Sequence, residues 1–264
     1  MTRAVVIVAA LALLLAAPIA SRADDQRPGI LRDVAFEQRI GDRIPLDTPF
    51  RDETGRTVRL GEYFGSKPVL LVPAYYTCPM LCTLVLNGVT SALRALPFDV
   101  GEEFVVVTFS FNPRETPADA EPKRTAALAE YRRPGAPAGW HWLTGDEDSI
   151  ARLTRAIGFR YAWDAERQQY AHASGVVVLT PDGTIARYFY GVEFAPRDLR
   201  LALVEASAHR LGSPVDQLLL FCFHYDPATG RYSRLAMRAV RAGGVATLLA
   251  LGVFLIVMLR REAT

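Results

Sequence analysis

Cys78 and Cys82 are the residues of this chain best suited to chemistry, in the run Tyr75-Tyr76-Thr77-Cys78-Pro79-Met80-Leu81-Cys82. A thiol pair four residues apart can cycle between dithiol and disulfide, or it can capture a soft metal ion. Which of these it does depends on the elements that hold it. The apolar run Val69-Leu70-Leu71-Val72-Pro73 reads as a buried strand that ends just before the pair. Leu81, Val85, Val89, Ala92 and Leu96 then recur at helical spacing. Pro79 suits the first helical position, where a missing N–H costs nothing. Cys78 is thereby expected at a helix N-terminus, with Cys82 one turn further on and on the same face. The positive end of the helix dipole favours thiolate over thiol there.

Cβ atoms four residues apart on a regular helix are about 5–6 Å from each other. A disulfide needs roughly 3.5–4.5 Å, so it closes here only if the first turn is distorted. A metal with bonds to sulfur near ~2.3 Å spans the gap with less distortion. Reading the pair as two small core residues leaves the strand–Cys-Pro–helix context unexplained.

The remaining elements must build the frame. Pro49 to Leu60 carries Asp52-Glu53-Thr54-Gly55 between short apolar pieces and predicts a hairpin. Phe104 to Phe109 and Gly175 to Thr180 read as buried strands, Trp140 to Leu143 as a short one, and Thr184 to Tyr190 as an alternating one. Helices are expected over 79–96, 118–131, 148–157 and 196–211. Continuous apolar strands between helices indicate a sheet covered on both faces. The order describes an α/β, thioredoxin-like fold with an N-terminal hairpin extension.

The chain has 264 residues, half of them hydrophobic, and a net charge of +2. No basic stripe with interleaved aromatics is present, so no nucleic-acid partner is expected. Three cysteines, at 78, 82 and 222, do not make a disulfide scaffold. Arg3, the apolar stretch from Ala4 to Ala17 and Ser21-Arg22-Ala23 read as a secretory signal cleaved after Ala23; an uncleaved anchor is the alternative. Ala242 to Leu259 holds no charge and is long enough for a transmembrane helix, with Arg260 and Arg261 beyond it. The domain is therefore expected on the exported side of the cell membrane, held by a single pass.

With these motifs in view, the chain resembles the Sco (SenC) family. Cys78-Pro79-Met80-Leu81-Cys82 and Tyr170-Ala171-His172-Ala173-Ser174, followed by a strand and Thr180-Pro181-Asp182-Gly183, carry the resemblance. It implies a membrane-anchored, thioredoxin-like copper chaperone for the dinuclear copper site of cytochrome c oxidase. It implies a copper ion held by Cys78, Cys82 and His172. Its implied partners are the copper-bearing oxidase subunit, other copper chaperones or thiol reductants, and the lipid bilayer. The family's usual Asp before the histidine is Ala171 here. Its Asp-Pro-x-x-Asp loop is Asn112-Pro113-Arg114-Glu115, so two acids are missing from the pattern. On this reading residues 1–23 are signal, 24–47 linker, 48–211 the copper-binding domain, 212–241 juxtamembrane, 242–259 transmembrane and 260–264 a cytoplasmic tail.

Two thiolates and an imidazole suit Cu(I), which is soft and accepts three ligands; structural zinc asks for a fourth. A metallochaperone is not an enzyme in the strict sense. The alternative is a thiol–disulfide oxidoreductase that reduces the cysteines of the oxidase copper site through Cys78 and Cys82. Cys222 and His224, next to the membrane segment, form an auxiliary candidate pair, with a free juxtamembrane cysteine as the plainer reading. Met80 offers a thioether, but its helical position reads as core or surface packing, and His141 between two tryptophans reads as plain packing.

Overall fold

The computed structural model describes residues 29–211 apart from Pro79, and short pieces at 225–226, 231–232, 243–245, 247, 251–252 and 254. Arg27–Ser213 form one compact unit. Its strands are β1 (Ala35–Phe36), β2 (Pro49–Arg51), β3 (Thr57–Arg59), β4 (Val69–Ala74), β5 (Val105–Ser110), β6 (Trp140–Leu143), β7 (Phe159–Asp164), β8 (Gln169–His172), β9 (Gly175–Leu179) and β10 (Ile185–Tyr190). Its main helices are α1 (Leu81–Ala95), α2 (Pro117–Tyr131), α3 (Glu147–Ala156) and α4 (Pro196–Ser207).

The central sheet runs β10-β9-β4-β5-β6. β4, β5 and β6 are parallel, β9 is antiparallel to β4, and β10 turns back on β9. β4 is buried along its whole length, and Val106, Val107 and Val176–Leu179 expose nothing. Such burial on both faces is why these strands read as unbroken apolar runs. Trp140 and Trp142 stack, and Trp140 Nε1–H donates to Thr108 Oγ1 at 2.9 Å, tying β6 to β5. α1 buries Cys82, Val85, Leu86, Val89 and Leu93. The expected hairpin is β2–β3, with Asp52 accepting the backbone N–H groups of Thr54 and Arg56 across its turn. This is the α/β, thioredoxin-like arrangement that the pattern predicts.

Three expectations within the unit need correction. The helix predicted from residue 79 begins at Leu81, with Met80 at its cap in an irregular conformation (φ −145°, ψ −66°). Cys78 therefore precedes the helix, and only Cys82 lies in its first turn. Second, the span read as a linker joins the fold from Gly29 onward: β1 pairs with β7, Arg43 bridges Thr184, and Ile44 is buried. A two-residue strand and a lone buried Ile are too little to show a period among charged neighbours. Third, β7 and β8 were not expected at all. They pair antiparallel and, with β1, make a second small sheet. Their half-exposed aromatics alternate poorly, and the polar turn hides the hairpin. Asp164 holds that turn, accepting the N–H groups of Glu166 and Arg167 at 3.0 Å each, while Gln168 takes a left-handed conformation (φ 51°).

The signal segment 1–23, most of 212–241, Cys222, His224 and the tail 260–264 lie outside the described residues. Among the described residues no helix is long and apolar enough to cross a membrane. Most of 242–259 also lies outside them; Gly243–Val245, Thr247, Leu251, Gly252 and Phe254 are helical. Tyr225–Asp226 and Arg231–Tyr232 pair as a short antiparallel ladder.

Candidate metal centre

The C-terminal ends of two parallel strands and the end of β8 converge on one point. β4 leads into the cysteine loop, β5 leads into the 112–116 loop, and β8 ends in His172. The ligand atoms of Cys78, Cys82 and His172 lie within 4.8 Å of one another, a spacing that one ion can bridge. His172 Nε2 is 3.4 Å from the Cys82 sulfur. Its other nitrogen, Nδ1, is 2.8 Å from the Ala173 carbonyl. An Nδ1–H donated to that carbonyl aims Nε2 at the sulfurs, which is how ligating histidines are commonly oriented. Both cysteines are free and buried.

The irregular cap at Met80 changes the geometry expected from a regular helix. The Cys78 sulfur sits in front of the first turn and accepts the Cys82 N–H at 3.4 Å. The Cys82 sulfur accepts the Tyr75 N–H at 3.2 Å. The two thiols diverge in acidity. Cys78 falls far below the ordinary thiol range because the Cys82 thiol donates to it; burial opposes this, and His172 and the N–H groups of Cys82 and Met80 add to it. Cys82 rises well above that range, because its proton is held by Cys78, because it is buried, and because a second negative charge beside Cys78 is unfavourable. The pair is thereby biased, Cys78 towards thiolate and Cys82 towards thiol.

Around the ligands lies an aromatic wall. The ring of Phe111 is 5.0 Å from the His172 ring, and Tyr75 and Phe159 stand at 6.4 and 6.3 Å. Phe111 is fully buried and also meets Tyr161 and Tyr170, so it joins the hairpin that carries His172 to the strand end of β5.

Glu115 is the functional residue that sequence reasoning missed. Its buried carboxylate accepts Tyr76 N–H at 2.8 Å, Thr77 N–H at 2.7 Å and Thr77 Oγ1–H at 2.7 Å, and it also accepts Ser110 Oγ–H. Four donors on one carboxylate fix the two residues before Cys78. The loop Asn112-Pro113-Arg114-Glu115 lacks the aspartates of the family pattern, and Glu115 brings a carboxylate from the adjoining position. An acidic residue in a short loop after a buried strand was the available signal. Arg114 from the same loop lies 4.5 Å over the Trp163 ring of β7. His141 is not part of the centre: it stacks on Tyr63 and faces Glu53 at 3.6 Å. Met80 lies at the surface and is largely exposed.

Fold and site together define a thioredoxin-like protein whose strand-to-helix loop carries a soft Cys/Cys/His cluster. The SCO1/SenC family model matches residues 42–206, and the chain belongs to that family. No curated protein gives a significant match. Among solved structures, an Aquifex aeolicus VF5 protein described as a candidate electron-transfer protein is 28% identical, with a TM-score of 0.57 over 67% of this chain and 98% of its own. Arabidopsis thaliana ScoI, solved with copper bound, is 17% identical, with a TM-score of 0.50 over 64% of this chain and 99% of its own. A SCO1/SenC family lipoprotein from Bacillus anthracis is 14% identical, with a TM-score of 0.53 over 65% and 99%. The last two likenesses speak for the fold.

Proposed function

We propose that this protein is a membrane-anchored copper metallochaperone that carries Cu(I) on Cys78, Cys82 and His172 to the dinuclear copper site of cytochrome c oxidase. The observation that carries the reading is the convergence of two sulfurs and an oriented imidazole within 4.8 Å. The donor set is soft and has three members, which fits Cu(I) better than zinc. Copper is cargo here, so the centre must both hold and release it. Cys78 is ready as a thiolate; Cys82 gives up its proton when the metal arrives. The ring of His172, turned by Ala173, completes the set. Membership of the SCO1/SenC family supports an oxidase subunit as recipient and other copper chaperones or thiol reductants as further partners.

One observation favours a second reading. The split acidities of Cys78 and Cys82 are those of an attacking and a resolving thiol. In that reading the Cys78 thiolate attacks a partner disulfide and releases one partner thiol. Cys82 then displaces the second, leaving a Cys78–Cys82 disulfide and a reduced partner. That exchange needs no third ligand, and the placement of His172 within 4.8 Å of both sulfurs weighs towards metal.

Anaerobic Cu(I) titration of the purified full-length protein, run beside an insulin-reduction assay, separates the two. One equivalent should bind, Cys78→Ser and Cys82→Ser should abolish tight binding, and His172→Ala should weaken it by about tenfold or more, 1.4 kcal/mol. Full-strength binding by Cys78→Ser would end the site assignment.

A further inference from the structure

We infer that Met80 is the transfer ligand of the centre: its thioether takes Cu(I) from a donor, hands it to the buried cysteines, and receives it again on release. The inference rests on the copper reading above and extends it to the route by which cargo enters and leaves.

The route is a problem the geometry raises. Cys78 and Cys82 are only 7% and 1% exposed, and the sulfur of each accepts a backbone N–H. A donor protein cannot bring its own ligands against the Cys82 sulfur. Met80 stands between them in the chain and is 68% exposed, the highest value among the large apolar side chains of the described residues. Exposure of one apolar residue is ordinary by itself. Its position is not. The Met80 main chain is fixed at the start of α1, its carbonyl accepting the Leu84 N–H at 3.1 Å. The side chain is therefore a long unbranched arm with rotatable bonds on a fixed base, two residues along the chain from each cysteine. Leu84, one turn along on the same face, is also exposed and gives the arm an apolar margin.

The chemistry suits a relay. A thioether is soft enough for Cu(I), carries no proton to lose, and stays neutral at every working pH. In the capture step one bond from Cu(I) to a donor ligand breaks as the bond to Met80 forms, and no proton or electron moves. The Cys78 thiolate then displaces a second donor ligand, and Cys82 displaces Met80 while its proton leaves to solvent. Copper stays Cu(I) throughout. A thiolate binds more tightly than a thioether, so Met80 does not hold the cargo at rest.

The test uses purified full-length protein and a chromophoric Cu(I) chelator, anaerobically, by stopped flow in both directions. Met80→Leu keeps the volume and removes the sulfur. It should leave the equilibrium partition of Cu(I) within about threefold of wild type and slow exchange in both directions by about tenfold or more. Met80→Cys, which restores a soft sulfur, should recover most of the rate. Unchanged exchange rates in Met80→Leu at normal affinity would overturn the relay and leave the copper site standing. An equilibrium loss as large as the kinetic one would also overturn it, making Met80 a resident ligand. Failure of the wild type to bind Cu(I) removes the copper reading and this inference with it. Circular dichroism verifies that each variant is folded.

Discussion

Two side chains decide how the centre behaves before any metal arrives. Cys78 is held as a thiolate by the Cys82 thiol, by His172 and by two backbone N–H groups. An ordinary thiol with a pKa near ~8.5 alkylates about tenfold faster for each pH unit up to that value. Cys78 should instead react at a rate nearly flat across neutral pH, while Cys82, pushed up, reacts only in alkali. Peptide mapping of iodoacetamide-treated, metal-free protein checks this, and preferential labelling of Cys82 would contradict it. Glu115 acts one step away as a positioning residue. Glu115→Gln keeps the size but turns an amide donor towards the N–H groups of Tyr76 and Thr77. A buried donor left unpaired costs about 1–3 kcal/mol. The variant should lose stability of that order in urea and broaden the pH profile of Cys78 labelling; Glu115→Asp, one methylene short, should recover part of both. An unchanged midpoint and an unchanged profile would mean that the loop holds itself. Cys78, Cys82 and His172 were legible because they stand in named motifs. Glu115 was not, because its role depends on a loop meeting the cysteine turn from 38 residues away in sequence.

The elements divide the ligands between two sheets. The cysteines follow β4 of the central sheet, whereas His172 ends a strand of the small sheet β1-β7-β8. Phe111 is the packing link, touching Tyr75 on one side and Tyr161, Tyr170 and His172 on the other. Phe111→Ala should cost about 3–5 kcal/mol, as for other fully buried aromatics. Phe111→Leu should cost less yet still release the hairpin, because it forgoes edge-to-face contacts worth about 0.5–1.5 kcal/mol each. Hydrogen exchange of β7 and β8 reads this directly: protection should fall there first, with β4 and β5 little changed. Uniform loss across both sheets would show that they unfold as one unit. The same division explains which elements could be read in advance. β4, β5 and β9 are buried on both faces and announce themselves as Val-rich runs. Two helices start at caps with clear signatures, α2 at the Thr116–Asp119 box and α3 where Asp146 accepts the Ser149 N–H at 2.8 Å. β1, β7 and β8 are short or half-exposed, so tertiary pairing and not local pattern makes them strands. The start of α1 was misplaced by two residues because the Met80 cap is bent by the cysteine turn, which propensity does not encode.

At the scale of the molecule, the unit Arg27–Ser213 holds every ligand of the centre, and the anchor proposed for this protein falls in the chain beyond it. The charge-free stretch 242–259 is the physical motive: it is long enough to span a bilayer and is followed by Arg260 and Arg261. A chain ended at Ser213 should therefore leave the membrane fraction and keep its affinity for Cu(I). It should deliver copper poorly in cells. Anchoring confines the carrier near a membrane-bound recipient, and effective concentrations on a short tether reach about millimolar. Loss of the anchor removes that advantage without touching a ligand, so restoring delivery by overexpression of the truncated protein would be consistent with this cause. Orientation gives the decisive measurement. With the signal segment leading export, a membrane-impermeant maleimide added to intact, copper-starved cells should label Cys78 in the full-length Cys222→Ser protein. Labelling that appears only after permeabilisation would place the centre in the cytoplasm. An oxidase copper site on the exported side would then be out of reach, and the delivery reading would fall while the Cys78–Cys82–His172 cluster kept its chemistry.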